Sequence, residues 1–212
     1  MNINDVYNNV LDGGNKLPLV ERFYTVQGEG YNTGKAAYFI RLGGCDVGCS
    51  WCDAKQTWNP LKFPPVSVES IIEEVVKTPA KYVVITGGEP LKYPLDNLCN
   101  ALKKQGLEVF LETSGSEPMS GRFDWICLSP KRKKRPLREN YRFANELKVI
   151  IESEDDLQWA EENRRLVGEN CRLYLQPEWS RSNEMLPQII EYVKSNPVWE
   201  ISLQTHKFMN IP

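Results

Sequence analysis

Three cysteines stand within eight residues of one another, as Cys45, Cys49 and Cys52. A loop with this spacing can wrap three thiolates around one compact metal centre. Structural zinc normally takes four ligands, commonly as two separated pairs, and no second pair follows here; the only histidine, His206, lies far away in sequence. Three cysteines on a four-iron cluster would leave one iron open to an exogenous molecule. The spacing therefore favours an iron–sulfur cluster over zinc or over thiols without a metal.

A glycine-rich segment, Thr86-Gly87-Gly88-Glu89-Pro90, follows a short apolar run. Glycines at such a place let the backbone approach a ligand closely, and a proline suits the turn into the next element. By itself the pattern is typical of a tight turn between a strand and a helix. Beside a cluster it is also a candidate ligand-binding turn.

Alternating strands and helices are predicted to position these segments. The expected strands are 36–42, 82–86, 107–113, 125–128, 147–151, 172–176 and 198–203, and the expected helices are 67–77, 95–105, 155–165 and 183–194. This alternation indicates a parallel sheet with crossover helices, which binds ligands at the carboxyl ends of its strands. A full eightfold barrel typically needs about 250 residues. We therefore predict an α/β fold, an incomplete TIM-like barrel of about six mostly parallel strands.

Composition narrows the class of protein. The 212 residues include 26 basic and 28 acidic ones, a net charge of −2 that argues against coating nucleic acid or an anionic membrane. The absence of a long apolar stretch or a leader pattern predicts a cytoplasmic protein. The remaining cysteines, Cys99, Cys127 and Cys171, are expected to behave as small buried hydrophobes. We predict one domain over 1–212, with an N-terminal arm at 1–18 and a C-terminal tail at 204–212.

The cysteine spacing, with Trp51 before the last cysteine and the 86–90 segment, resembles the cluster loop of the radical S-adenosylmethionine (SAM) superfamily. The resemblance implies a [4Fe–4S] cluster on Cys45, Cys49 and Cys52, with SAM chelated at the free iron. Reduction would then cleave the sulfonium of SAM to give a 5′-deoxyadenosyl radical.

Further segments resemble the 7-carboxy-7-deazaguanine synthase family, from about Val20 to the terminus. They are Phe23-Tyr24-Thr25-Val26-Gln27-Gly28-Glu29-Gly30, Cys52-Asp53, Leu111-Glu112-Thr113-Ser114-Gly115 and Leu128-Ser129-Pro130-Lys131. The resemblance implies a radical SAM lyase that converts 6-carboxy-5,6,7,8-tetrahydropterin to 7-carboxy-7-deazaguanine with loss of ammonia, in queuosine or other 7-deazapurine biosynthesis. It also implies a homodimer that uses Mg²⁺.

The same resemblance assigns roles to individual residues. SAM would contact Trp51, Cys52, Asp53, Gly88, Ser129, Pro130, Lys131, Gln176, Pro177, Glu178 and Trp179. The substrate would meet Val26, Gln27, Gly28, Arg41, Thr86 and Pro212, while Glu112 and His206 would be catalytic. Arg41 can pair with a carboxylate through two parallel hydrogen bonds, and Glu112 can accept from the N–H groups of a pterin. Without the resemblance, a solvated arginine and a helix-capping acid remain open for these two. In this family a terminal proline carboxylate reaches the substrate, so the tail is expected to fold into the active site.

One position departs from the family. Two residues after the last cluster cysteine the family commonly has Thr or Ser, whereas this chain has Ala54, which brings no oxygen to a cation. Mg²⁺ would then depend on substrate oxygens and water.

A basic segment at 131–142 contains seven basic residues and one acid. Such a run is typical of a solvated loop. Its place after Ser129 and Pro130 also suggests attraction of an acidic electron donor such as flavodoxin.

Two other functions fit parts of the pattern. A glycyl-radical-activating enzyme has a similar size and cluster loop but acts on a protein backbone. A noncatalytic metal-binding module would hold a metal without cleaving SAM.

Overall fold

The computed structural model describes residues 10–212. Its strands are β1 Lys16–Val26, β2 Ala36–Leu42, β3 Pro65–Ser67, β4 Tyr82–Gly87, β5 Glu108–Thr113, β6 Trp125–Leu128, β7 Glu146–Ile151, β8 Arg172–Pro177 and β9 Glu200–Ile201. Its α-helices are α1 Val68–Val75, α2 Asp96–Lys104, α3 Asp155–Arg164, α4 Ser182–Ser195 and α5 Thr205–Met209. None of the helices in residues 10–212 is long and apolar enough to cross a bilayer.

The strands form one sheet in the order β3-β1-β2-β4-β5-β6-β7-β8-β9. Strands β2 and β4 to β9 run parallel, and β1 pairs antiparallel with both β2 and β3. In the described part of the chain the sheet stays open, with β3 and β9 at its edges. This confirms the predicted incomplete TIM-like barrel, in which short β strands are connected by crossover helices.

Two apolar clusters hold the helices on the outer face of the sheet. Ile85 of β4 packs with Ile71 of α1 and Leu98 of α2. Farther along the sheet, Leu175 of β8 packs with Trp159 of α3. Side chains alternate between the two faces of a strand, so the neighbours of these residues point to the inside of the barrel.

The predicted helices and parallel strands agree with the structure to within a few residues. Ser67 caps α1 as expected, since its side chain accepts from Ser70 N at 3.2 Å. Val76, predicted to lie on the buried stripe of that helix, is instead 52% exposed because α1 ends one residue earlier. The last strand is only two residues long, against a predicted 198–203.

The three solitary cysteines are only partly as expected. Cys99 and Cys127 are buried, as predicted for small apolar side chains. Cys171 is only half-buried, and it lies just before β8 begins at Arg172.

The N-terminal arm predicted at 1–18 is described only in part. Residues 1–9 lie outside the described part, but from residue 10 the chain is packed, and β1 begins at Lys16. Leu17 is fully buried in the outer cluster. Only the first three residues of β1 lie within 1–18, so the polar composition of that segment does not reveal the strand.

Candidate active site

A cavity of about 430 Å³ lies inside the barrel at the carboxyl ends of the parallel strands. All the residues predicted for the site line this cavity except Pro130. The alternation of each strand explains the arrangement: Ile85 and Leu111 face outward, while Thr86 and Glu112 beside them face the cavity. The structure thus brings these residues together, and their individual roles remain predictions.

The cysteine loop leaves β2 and turns back across the cavity mouth. Cys45 N donates to Trp58 O at 3.2 Å, and Cys52 N donates to Cys49 O at 3.3 Å. Asp46, inside the loop, is paired with Lys92 at 3.1 Å and with Lys134 at 3.0 Å. The loop is therefore fixed to the segments that follow β4 and β6.

Gly88 shows why the turn after β4 is built from glycine. A Cβ at this position would lie 2.8 Å from the Cβ of Cys45 and closer still to the carbonyl of Gly44. The backbone here touches the cysteine loop, as Glu89 N donates to Gly44 O at 2.9 Å. The turn and the loop consequently form one continuous wall of the cavity.

The three thiols suit the iron–sulfur cluster expected of this donor set. All three are half-buried, carry no disulfide and line the same cavity. Burial raises the pKa of Cys45 and of Cys49, so binding of iron would release their protons. In residues 10–212, no three His, Cys, Asp or Glu side chains lie close enough together to hold a single metal ion, which is smaller than a four-iron cluster.

Lys131 and Ser129 form the wall next to the cluster loop. The Lys131 ammonium donates to the Ser129 carbonyl at 2.7 Å and to its hydroxyl at 2.6 Å. It also lies over the Trp51 ring, 5.6 Å from the centroid. Burial lowers the pKa of Lys131. The ammonium and the ring both line the cavity next to the cysteine loop.

Across the cavity, Lys148 lies between two carboxylates. Its ammonium is 2.6 Å from Glu29 Oε2 and 3.0 Å from Glu112 Oε2. Burial by itself would raise the pKa of Glu29, but the charge and hydrogen bond of Lys148 outweigh it and lower that pKa to about 2. The second oxygen of Glu112 accepts from Gln27 Nε2 at 3.4 Å. The cavity therefore presents fixed acceptors to a ligand that carries N–H groups.

Arg41, predicted to bind a substrate carboxylate, lines the cavity from β2 and already has a partner. Its Nε donates to Glu21 Oε1 at 2.5 Å. The side chain is 24% exposed, so part of the guanidinium stays open to the cavity. Pairing with Glu21 holds the guanidinium in place and leaves its other N–H groups to bind a ligand.

The C-terminal tail lines one side of the cavity. Thr205 N and Oγ donate to Gly28 O at 2.9 and 3.0 Å, and Gln204 Nε2 donates to Glu29 Oε1 at 2.8 Å. Lys207 reaches Asp53 of the cluster loop at 3.4 Å. Burial lowers the pKa of His206, which favours the neutral imidazole near pH 7. The tail thus joins the loop after β1 to Asp53 of the cysteine loop.

Replacing Gly28 with alanine is expected to raise the substrate KM about tenfold. An added Cβ would lie 2.7 Å from the Cβ and backbone nitrogen of His206, and such overpacking typically costs about 1–3 kcal/mol. Gly168→Ala is the matched control, because nothing lies within 4 Å of its added Cβ. Steady-state kinetics of both variants give the comparison, and an unchanged KM in Gly28→Ala would contradict close packing of the tail on this loop.

Several cavity residues were not found from the sequence. Lys148, Glu29, Gln204 and Lys207 hold the pattern of charges and hydrogen bonds together. The available signal was a lysine inside the apolar run 147–151, which is unusual for a strand with both faces covered. The sequence did not show that this lysine pairs with Glu29 and Glu112.

Comparison with known proteins gives concordant results. Residues 39–131 match the model of the radical SAM superfamily. A 7-carboxy-7-deazaguanine synthase from Flavobacterium psychrophilum is 53% identical over 95% of this chain and 96% of its own length. One from Synechocystis is 47% identical over 92% of this chain and 93% of its own. The crystal structure of QueE from Escherichia coli superposes with a TM-score of 0.79 at 30% identity, covering 92% of this chain and 97% of that one.

Proposed function

Because the chain belongs to the 7-carboxy-7-deazaguanine synthase family of radical SAM enzymes, we propose that it converts 6-carboxy-5,6,7,8-tetrahydropterin to 7-carboxy-7-deazaguanine with loss of ammonia. One observation of the structure carries this proposal furthest. The three free thiols and the acceptors of Glu29 and Glu112 line the same cavity. A cofactor on the thiols would therefore meet a ligand on the carboxylates.

The cluster side of the cavity is proposed to hold the cofactors. Cys45, Cys49 and Cys52 would bind the [4Fe–4S] cluster, with SAM against Trp51 and Lys131. When bound and reduced, this pair supplies the 5′-deoxyadenosyl radical that starts the reaction.

The other side is proposed to hold and orient the substrate. Glu112 accepts from the N–H groups of the pterin, and the free N–H groups of Arg41 bind its carboxylate. His206 and the rest of the tail exclude water, which also favours a single orientation of the substrate. Pro212 lines the cavity, so we propose that it contacts the substrate as well.

Anaerobic turnover tests the function directly. The chain, reconstituted with iron and sulfide, is incubated with reductant, SAM and 6-carboxy-5,6,7,8-tetrahydropterin, while ammonia and product absorbance are followed. We expect both to appear in equal amounts and only when all components are present. SAM cleavage without ammonia or product would contradict the proposed substrate.

The alternatives from the sequence are not favoured. A glycyl-radical-activating enzyme and a noncatalytic metal module both fit the cluster loop, but neither explains the near full-length similarity to 7-carboxy-7-deazaguanine synthases. The tail also lines one side of the cavity, which leaves room for a small molecule more readily than for a protein backbone.

The side chain at position 54 offers Mg²⁺ no oxygen ligand. Ala54 lines the cavity with a methyl group, and Mg²⁺ prefers six oxygen ligands. We expect wild-type activity to persist in a chelator that spares the cluster. In Ala54→Thr, the Mg²⁺ concentration that gives half-maximal stimulation should be about tenfold lower, because one added oxygen ligand is expected to stabilise bound Mg²⁺ by about 1.4 kcal/mol. Titration of both proteins with Mg²⁺ is the measurement. Complete loss of wild-type activity in the chelator would contradict this expectation.

We propose that an acidic electron donor such as flavodoxin docks beside the basic segment 131–142. Part of its charge is neutralised, since Lys134 is paired with Asp46 and Glu117 and Arg132 with Asp156. Arg138 is exposed. Because the Lys134 pair fixes the segment to the cysteine loop, a donor bound there would lie close to the cluster.

Turnover driven by flavodoxin is therefore expected to slow as salt rises, since the Debye length shrinks from about 10 Å at 0.1 M to about 3 Å at 1 M. Arg138→Glu should slow it further at low salt. Turnover driven by dithionite is the control and should change little in either case. If the turnover rate with flavodoxin changed neither with salt nor with the substitution, docking at this segment would be contradicted.

We also propose a homodimer that works in the cytoplasm. The support for the dimer is the family resemblance, and light scattering of the purified protein measures it. The support for the compartment is the set of six free cysteines, since thiols stay reduced in the cytosol.

A further inference from the structure

Lys148 is a lysine buried inside the barrel. It lies on β7, and its side chain is only 4% exposed. A charged group is almost never fully buried unless it is paired, because leaving water is costly. Its partners, Glu29 and Glu112, come from the loop after β1 and from β5. The lysine thus joins three separate parts of the chain.

All three side chains line the cavity, and the two carboxylates are more exposed there than the ammonium. The Glu29 and Glu112 side chains are 19% and 22% exposed. Each carboxylate gives one oxygen to Lys148, while the other oxygen accepts from an amide, from Gln204 for Glu29 and from Gln27 for Glu112. A carboxylate has about four acceptor sites, so both retain capacity for a ligand.

Other charged and titratable groups surround this cluster. Glu146 lies two residues earlier on β7, Cys127 faces it from β6, and Lys131 follows that strand. His206 approaches from α5. Burial raises the pKa of Glu146 and that of Cys127, which favours the neutral form of both groups. Lys148 is the cation in direct contact with both of them.

We propose that Lys148 is a positioning residue: its ammonium holds the Glu29 and Glu112 carboxylates side by side, so that both accept hydrogen bonds from the N–H edge of the bound heterocycle. Two carboxylates that share a site without a cation cannot easily both be ionised, and one proton is then held between them. This inference rests on the proposed function, because it takes the pterin and its product as the ligand. It adds a residue to which the family resemblance assigned no role.

The test is the pH dependence of binding of 7-carboxy-7-deazaguanine, measured by calorimetry between pH 5 and 8 on the reconstituted protein. In the wild type, affinity is expected not to fall through protonation of Glu29 in this range, since the pKa of that carboxyl is lowered to about 2. In Lys148→Met, one carboxyl becomes protonated as the pH falls, so binding should weaken about 10- to 100-fold and most strongly at low pH. Lys148→Arg should recover much of the affinity and remove the extra loss of affinity at low pH. Lys194→Met, a substitution at an exposed lysine, is the control and should bind like the wild type.

A double variant separates charge from packing and serves if Lys148→Met folds poorly. Glu29→Gln/Lys148→Met removes one carboxylate, so its Tm should lie above that of Lys148→Met. Equal or lower Tm in the double variant, or the same pH dependence of binding in Lys148→Met and wild type, would overturn the role of Lys148. If the wild type bound neither substrate nor product, the proposed function itself would fail, which is a distinguishable result.

Discussion

Replacing Cys45, Cys49 or Cys52 with alanine is expected to reduce SAM cleavage and product formation to background. Each variant removes one of three thiolates, and the described structure offers no spare cysteine at the cavity, since the remaining ones lie on other elements. Two thiolates cannot fix a four-iron cluster with a single open iron. Iron and sulfide content after anaerobic reconstitution, together with deoxyadenosine formation, measure the effect.

Cys171→Ala is the matched control. Cys171 is also a free, half-buried cysteine, but it lies at the start of β8 and does not line the cavity. Its iron content and activity should equal those of the wild type. A cavity variant that kept full iron and activity, or a Cys171 variant that lost both, would show that these three cysteines do not hold the cluster.

Glu89→Ala is expected to lower the free energy of unfolding by about 3 kcal/mol or more. Glu89 is 1% exposed, and its carboxylate accepts from Thr113 Oγ at 2.6 Å, from Ser114 N at 2.8 Å and from Leu91 N at 3.1 Å. Alanine would leave these buried donors without an acceptor, and each costs about 1–3 kcal/mol. For a chain of this size the Tm should fall by about 6–12 °C.

Chemical denaturation and thermal unfolding of the reconstituted protein measure this loss. Glu89→Gln keeps one acceptor oxygen and should be intermediate. Glu74→Ala is the control, because Glu74 pairs with Lys77 at the surface and such substitutions usually stay within about 0.5 kcal/mol. An unchanged Tm in Glu89→Ala would show that the link between the turn after β4 and the end of β5 does not matter for stability.

Most of the fold could be predicted because the spacing of apolar residues along the sequence indicates which faces of a helix or strand are buried. The run from Tyr82 is apolar throughout, as expected of a strand covered on both faces, and β4 lies there. The antiparallel β1 could not be found in the same way. It carries the charged residues Lys16, Glu21 and Arg22, and its pairing with β2 is a property of the sheet rather than of its own composition.

The two sides of the candidate site also differ in how far they can be predicted from the sequence. Cysteine spacing and glycine turns are local patterns, so the cluster side could be predicted from short segments. The charge cluster of Lys148 could not, since its partners lie 119 and 36 residues away in sequence and meet it only in the folded chain. Ala54 shows the reverse case, because a departure from a family pattern at a single position is visible in the amino-acid sequence alone.

Electron paramagnetic resonance of the anaerobically reconstituted, reduced protein tests most directly whether three cysteines hold a cluster with one iron free to bind SAM. We expect a [4Fe–4S]⁺ signal in the reduced protein and a changed signal after SAM is added. A signal that does not change when SAM is added, or a colourless protein with zinc bound at the three thiols, would contradict this assignment.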